Sequence, residues 1–220
     1  MESPAPHVSV MPDEVVQFVR EKVMAERADG RPRMVMDGTV GQGGHSRLIL
    51  ESTPAFVRVC GTDRDPQAVG ASAALLAGHG ERFSSFHFGY DEAATRFAAL
   101  GIGPFDVVLL DLGLSSTQLG SDRGFSFSAG DEQPLDMRFD VTSGPTATEV
   151  IMTTPTAILA DAFRELAQVP MAGRLAASSR KRPAPAEWRP LGNWWMSAIE
   201  YMARESARSA ARRCRCRRCG

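Results

Sequence analysis

Met34-Val35-Met36-Asp37-Gly38-Thr39-Val40-Gly41-Gln42-Gly43-Gly44-His45-Ser46 passes from a short apolar run through an acid into a cluster of glycines. From His45 to Glu51 apolar residues return at helical spacing, so the unit reads as strand, glycine-rich loop and helix. The same unit repeats downstream. Phe56 to Gly61 is a second apolar run that ends in Thr62-Asp63-Arg64-Asp65-Pro66, and Gln67 to Leu76 is rich in Ala and Leu. Phe83 to Phe88 and Phe105 to Asp111 are the third and fourth candidate strands, with a helix predicted between them over Asp91 to Leu100. The apolar run Val107-Val108-Leu109-Leu110 is of the kind buried on both faces of a parallel sheet. Upstream, Val15, Val16, Val19 and Val23 form one stripe of a helix predicted over Asp13 to Arg27, with Asp13 at the N-cap.

Four alternations of strand and helix predict an α/β fold, a parallel sheet with right-handed crossovers whose ligands bind at the carboxyl ends of the strands. Asp37, Asp63 and Asp111 each fall at or just past the end of an apolar run, so the three carboxylates are expected along one edge. Gly113 to Pro145 reads as a long polar loop, either functional or disordered. Helices are predicted over Ala147–Val150 and Pro155–Leu166.

The chain has 220 residues with 43% hydrophobic and 23% charged, which excludes a wholly disordered protein. Cys60 stands alone and the other three cysteines crowd into the last seven residues, so no disulfide framework is implied. No run of about 18 apolar residues offers a membrane span, and Met1 to His7 does not resemble a signal peptide. A cytoplasmic protein without membrane attachment is expected. The net charge of −1 hides an asymmetry: residues 1–140 hold 12 Lys+Arg against 20 Asp+Glu, whereas residues 141–220 hold 13 against 6.

A glycine-rich turn lets backbone approach a nucleotide-like ligand where side chains would obstruct it, although glycines of this kind also serve as plain tight-turn residues. The dinucleotide pattern G-x-G-x-x-G begun at Gly41 would need glycine where Ser46 stands, and no Lys-Ser/Thr pair completes a P-loop. Asp63, at the second strand end, suits the two hydroxyls of a ribose; Asp65 suits the N-cap of the helix begun by Pro66. Asp111 to Leu119 places a carboxylate, hydroxyls and an amide at the fourth strand end, a group able to hold a ligand or to satisfy only its own backbone. His87 reads as structural rather than as a catalytic base.

Taken in order, His7 to Val16, Asp37 to Ser46, Asp63-Arg64-Asp65-Pro66, Asp111 to Leu119, Arg123-Gly124-Phe125-Ser126-Phe127 and Pro134-Leu135-Asp136-Met137-Arg138 resemble the MraW/RsmH family. These are S-adenosylmethionine-dependent methyltransferases that modify the N4 of a cytosine in small-subunit (16S) ribosomal RNA, with mitochondrial relatives. The resemblance covers about His7 to Arg182. It implies a Rossmann-like methyltransferase sheet, S-adenosyl-L-methionine as cofactor, and small-subunit rRNA or a ribosomal subunit precursor as partner.

The resemblance also assigns residues. Gly43, Gly44 and His45, with Asp37 and Gly41 of the same loop, match the turn against the methionine part of the cofactor. Asp63 matches the acid on its ribose, and Tyr90 stands where the family commonly has phenylalanine beside the adenine. Asp111 and Gln118 match the remaining cofactor contacts. Asp111, Ser115 and Ser116 are the candidate catalytic residues, while Arg123, Asp136 and Arg138 lie in signature loops without assigned roles. No metal is needed, because methyl transfer from a sulfonium asks mainly for positioning and charge stabilisation.

The implied organisation is a cofactor-binding core over residues 7–145, the start of a helical substrate-binding insertion over 146–182, and a tail over 183–220. The sheet is expected to be incomplete after its fourth strand. Seven arginines between Arg204 and Arg218, interleaved with Ala, Ser and Cys, give the tail the look of a shifted reading frame or alternative splice. An arm that contacts RNA phosphates is the competing reading. Two other functions stay open: a cofactor- or RNA-binding remnant without turnover, and a nucleotide-dependent oxidoreductase.

Overall fold

The structure, a computed structural model, describes residues 9–126 and 134–179. The Arg- and Cys-rich tail lies outside the described residues. The described residues form two compact units: those from 9 to 116 with Phe139–Val141 make one, and those from 117 to 138 with 142 to 179 make the other.

In the first unit β1 (Arg33–Asp37), β2 (Val57–Asp63), β3 (Phe83–His87) and β4 (Val107–Leu109) make one parallel sheet in the order β3-β2-β1-β4. These are the first four positions of the 3-2-1-4-5-6 order of a doubly wound Rossmann-like sheet. Asp37 lies opposite Gly61 and Leu109, and Asp63 opposite His87, so the strands present their carboxyl ends along one edge.

Period-two alternation within the strands feeds two apolar layers. Val35, Val57, Val59 and Val107 pack with Val19 and Val23 of α1 (Pro12–Val23), Ile49 and Leu50 of α2 (Gly44–Ser52) and Leu76 of α3 (Pro66–Leu76). Met36 and Cys60 face the other way, toward Ala93 and Phe97 of α4 (Ala93–Leu100). There Phe97 meets Phe86, Phe88 and Phe105 edge to face at 5.2, 5.2 and 4.9 Å, a geometry that adds electrostatic preference to burial.

Element ends depart from the sequence reading for local reasons. α1 starts at Pro12 behind a left-handed Met11, so Asp13 sits inside the first turn, beside the positive end of the helix dipole, rather than at the N-cap. It stops at Val23, and Arg27 instead joins Arg33 in reaching one Oδ1 of Asp106, each at 2.8 Å. Asp65 caps α3 as expected, accepting from the Gln67 N–H at 3.0 Å. α4 begins at Ala93 rather than Asp91, since Asp91 spends its carboxylate on Arg64.

β4 pairs only over Val107–Leu109, shorter than expected, because both flanks are diverted. Asp106 serves the arginines, while the Asp111 N–H donates to Thr39 Oγ1 at 2.8 Å. As a sheet incomplete after its fourth strand requires, β4 is not buried on both faces: Val107 is buried, but Val108 is 56% and Leu110 42% exposed, with β1 the sole strand neighbour of β4 among the described residues.

The second unit holds α6 (Ala147–Thr153), α7 (Thr156–Glu165) and α8 (Ala172–Ser179), with Leu159, Phe163, Ala172 and Ala176 buried. Thr146 and Glu149 form a reciprocal capping box at the start of α6. The segment read as one long loop contains a short helix, α5 (Ser116–Leu119). Further on, Arg138 clasps Asp136 through two nitrogens at 2.8 and 2.7 Å. No helix among the described residues is long and apolar enough to cross a membrane.

Asp106 ties the amino ends of the strands. Its Oδ2 also accepts the Met34 N–H at 2.8 Å. Burial pushes its carboxyl up, yet the Met34 N–H and the two guanidiniums outweigh that and hold it below 3.8. A carboxyl depressed in the fold contributes stability above the unfolded value of 3.8 and loses it as pH falls through the lower folded value. Asp106→Asn should therefore cost about 1.5–3 kcal/mol at pH 7, the range for hydrogen bonds to a charged group, and less below the folded value. Urea denaturation at pH 7 and pH 3 checks both.

Candidate functional site

At the opposite edge the glycine-rich loop is stitched to its neighbours by its own amides. Gly38 N–H donates to the Leu109 carbonyl at 2.9 Å, Val40 N–H to the Thr62 carbonyl at 3.0 Å, and Gly41 N–H to Asp63 Oδ2 at 3.0 Å. Thr39 accepts from Asp111 N–H with its hydroxyl. The loop after β1 is thus fastened to the ends of both flanking strands. Gly41 and Gly43 have φ of 51° and 89°, the left-handed region that glycine enters without penalty. Gly43 is the N-cap of α2.

Asp37 sits beneath this loop at 2% exposure. Its Oδ2 accepts from Ser46 Oγ at 2.7 Å, and its Oδ1 from the Thr39 N–H at 3.3 Å. Ser46, the residue that breaks the dinucleotide pattern, thereby gains a role of its own, because from the first turn of α2 it clamps the acid that ends β1. No feature of spacing announced this pair, since a serine one turn into a helix is usually neutral.

Asp63 is half-buried, with Oδ1 accepting the Asp65 N–H at 2.9 Å and Oδ2 the Gly41 N–H. The Arg64 N–H is directed at the same carboxylate, and with two acceptor positions on each oxygen one remains for a hydroxyl. His45 is buried and its Nδ1 has no partner among the described residues, while Nε2 lies 3.6 Å from Asp111 Oδ2. That distance is an ion-pair separation, too long for a hydrogen bond. Asp111 is exposed at 40% of its side chain. Tyr90, 43% exposed, follows β3 and stands close to Gly38, where an added Cβ would lie 3.0 Å from Tyr90 Cβ and 2.5 Å from Leu110 Cδ2.

The first unit therefore carries Asp37, Gly41, Gly43, Gly44, His45, Asp63, Tyr90, Asp111, Ser115 and Ser116 at or after the carboxyl ends of its strands. Gln118 belongs to the second unit, buried in α5, where its carbonyl accepts from Ser121 Oγ at 2.7 Å. Arg123, Asp136 and Arg138 lie there as well. His87 Nε2 is 3.0 Å from the Arg64 carbonyl oxygen, which suits a structural role.

The buried acids carry an electrostatic cost. Burial pushes Asp37 above 3.8, against the pull of Ser46, Thr39 and His45. Burial likewise raises Asp63, against the backbone N–H groups of Asp65 and Gly41. An acid raised in the fold binds its proton before the unfolded chain does, so the cost present at neutral pH is relieved as pH falls through the folded value toward 3.8. Asp37→Asn, which keeps an acceptor for Ser46 without the charge, should be more stable than the parent at pH 7, by a margin that shrinks toward pH 4. Urea midpoints across that range check it, and a variant equally destabilised throughout would show that the carboxylate is not under strain.

The MraW methylase family matches residues 4–188. A protein of Nocardioides sp. is 39% identical over 78% of this chain and 52% of its own length, and one of Syntrophotalea carbinolica is 41% identical over 77% and 51%. One of Beutenbergia cavernae is 39% identical over 74% and 49%. Each bears the name ribosomal RNA small subunit methyltransferase H. The chain spans about half the length of these relatives. With a match that runs through the glycine-rich loop, all four strands and the helices of the second unit, the chain belongs to the MraW methylase family.

Proposed function

We propose that this chain binds S-adenosyl-L-methionine along the carboxyl edge of its sheet and methylates the N4 of a cytosine in small-subunit ribosomal RNA. The observation that carries the proposal is the stitched loop: Gly41 bonded to Asp63 and Thr39 to Asp111 bring the acids of two strand ends to one turn, in a chain of the MraW methylase family. The buried, unpartnered Nδ1 of His45 fits a site completed by a polar ligand, since such an atom otherwise costs free energy.

Within that reading Asp63 takes the ribose hydroxyls and Tyr90 covers the adenine. Gly43, Gly44 and His45 face the methionine end, with Gly41 and Asp37 shaping the turn. Asp111 supplies a further contact. Bound there, the cofactor supplies an activated methyl group. The protein has to position the amine and manage its proton, because the cytosine N4 lone pair is delocalised into the ring. Asp111, on the exposed end of the edge, accepts that proton, and the Ser115 and Ser116 hydroxyls lie next along the chain as further acceptors. The base reaches them unpaired and turned out of its stack, as in other base-modifying enzymes. The related proteins are bacterial, which favours cytoplasmic small-subunit rRNA or a subunit precursor over a mitochondrial substrate.

Separate calorimetric titrations with S-adenosylhomocysteine and NADH test the cofactor class, and transfer of labelled methyl to small-subunit rRNA tests turnover. Binding of the first ligand alone, followed by transfer, is the expected result. Binding without transfer would make the chain a cofactor-binding remnant. NADH binding would return it to the oxidoreductases. Asp63→Ala should weaken S-adenosylhomocysteine by about 1.5–3 kcal/mol, the range for hydrogen bonds to a charged group; unchanged affinity removes Asp63 from the site. Asp111→Asn should slow transfer, and parental rates with normal binding would refute a role for its charge.

A further inference from the structure

Asp63 and Tyr90 stand on different loops, one after β2 and one after β3. A nucleoside held by both needs the two loops at a fixed separation. Arg64 is the residue that spans them. Its carbonyl oxygen lies 3.0 Å from His87 Nε2; a carbonyl only accepts, so that nitrogen carries the proton. Asp140 Oδ2 is 3.4 Å from the same nitrogen. From the other end of the residue, Arg64 Nη2 donates to Asp91 Oδ2 at 2.6 Å, across 27 positions of sequence. Asp91 is the residue after Tyr90, and Gly89 the residue before it.

Gly89 keeps the lane open. A Cβ added there would stand 2.5 Å from Arg64 Nε and 3.1 Å from Arg64 Cγ, and would also collide with the Asp91 carboxylate. Tyr90 is thus bracketed by the residue that lets the guanidinium pass and the residue that receives it. Asp63, immediately before Arg64, is fastened in turn to Gly41 and Asp65.

We infer that Arg64 is a positioning residue for the adenosine half of the cofactor: it holds the loop of the ribose acid at a set distance from the loop of the aromatic ring, and so pre-organises the nucleoside cleft. The inference rests on the proposed cofactor. The side chains of Arg64 and Asp91 are 45% and 32% exposed, and an ion pair so open to water adds little to global stability. Its effect belongs in binding, where a loop ordered in advance loses less freedom when ligand arrives.

The test compares S-adenosylhomocysteine affinity and thermal midpoint in the parent, Arg64→Met, Asp91→Asn, the double variant and Arg64→Lys. Each single change is expected to weaken binding about 5- to 10-fold, within the span of measured couplings between contacting residues, with the thermal midpoint close to the parent's. The double variant should be no weaker than the poorer single one. Arg64→Lys should recover part of the loss, because it keeps the charge but not the fork. Singles that bind like the parent, losses that simply multiply in the double variant, or losses that follow the thermal midpoint would each overturn the role. A parent that binds no S-adenosylhomocysteine overturns the cofactor reading and this role together, whereas parental binding with unaffected variants overturns the role alone.

Discussion

A carboxylate kept almost dry at the end of β1 sets the terms for the rest of the site. Asp37 is 2% exposed and would be costly there if left to itself. Ser46 and the Thr39 N–H satisfy it, and those two hydrogen bonds draw the first turn of α2 and the start of the glycine-rich loop onto the strand end. With the loop so placed, its next groups meet the neighbouring strands: Val40 and Gly41 reach β2, while Gly38 and Thr39 reach the end of β4. One buried acid thus orders a turn that organises two more acids. Its raised proton affinity reflects a site held at a cost to stability, as functional constellations commonly are.

The two edges of the sheet use the same residue type in opposite senses. At the amino edge Asp106 gathers two guanidiniums and a backbone N–H and is depressed below its ordinary value, which makes it a fastener. At the carboxyl edge Asp37 and Asp63 receive neutral donors in buried surroundings and are raised. Of these, Asp63 is the less buried and has no guanidinium clasp, which suits it to a polar ligand.

What the sequence disclosed follows from which forces are local. Alternation of apolar runs and the glycine cluster made the four strands, their parallel order and the carboxyl-edge placement of Asp37, Asp63 and Asp111 legible, because burial and strand period act over a few residues. Asp65 as a cap was legible for the same reason. Element ends were not, where a side chain is claimed by a distant partner: Arg27 leaves the α1 pattern for Asp106, 79 residues away, and Asp91 is drawn from its helix by Arg64. The exposure of Val108 and Leu110 was legible, because a sheet expected to stop at its fourth strand leaves that strand's apolar run without an outer neighbour. The Ser46–Asp37 clamp and the Arg64 span carry no periodic signal and emerge only from the fold.

Residue-resolved amide shifts on titration with S-adenosylhomocysteine test the placement of the site most directly. The expected result is a set of perturbations concentrated at Gly41 to His45, Asp63 to Asp65, Tyr90 and Asp111, with Met34 and Asp106 at the far edge unmoved. Saturable binding with shifts centred on the Asp106 edge, or with the loop from Gly38 to Gly44 unaffected, would contradict a cofactor held where the strands end.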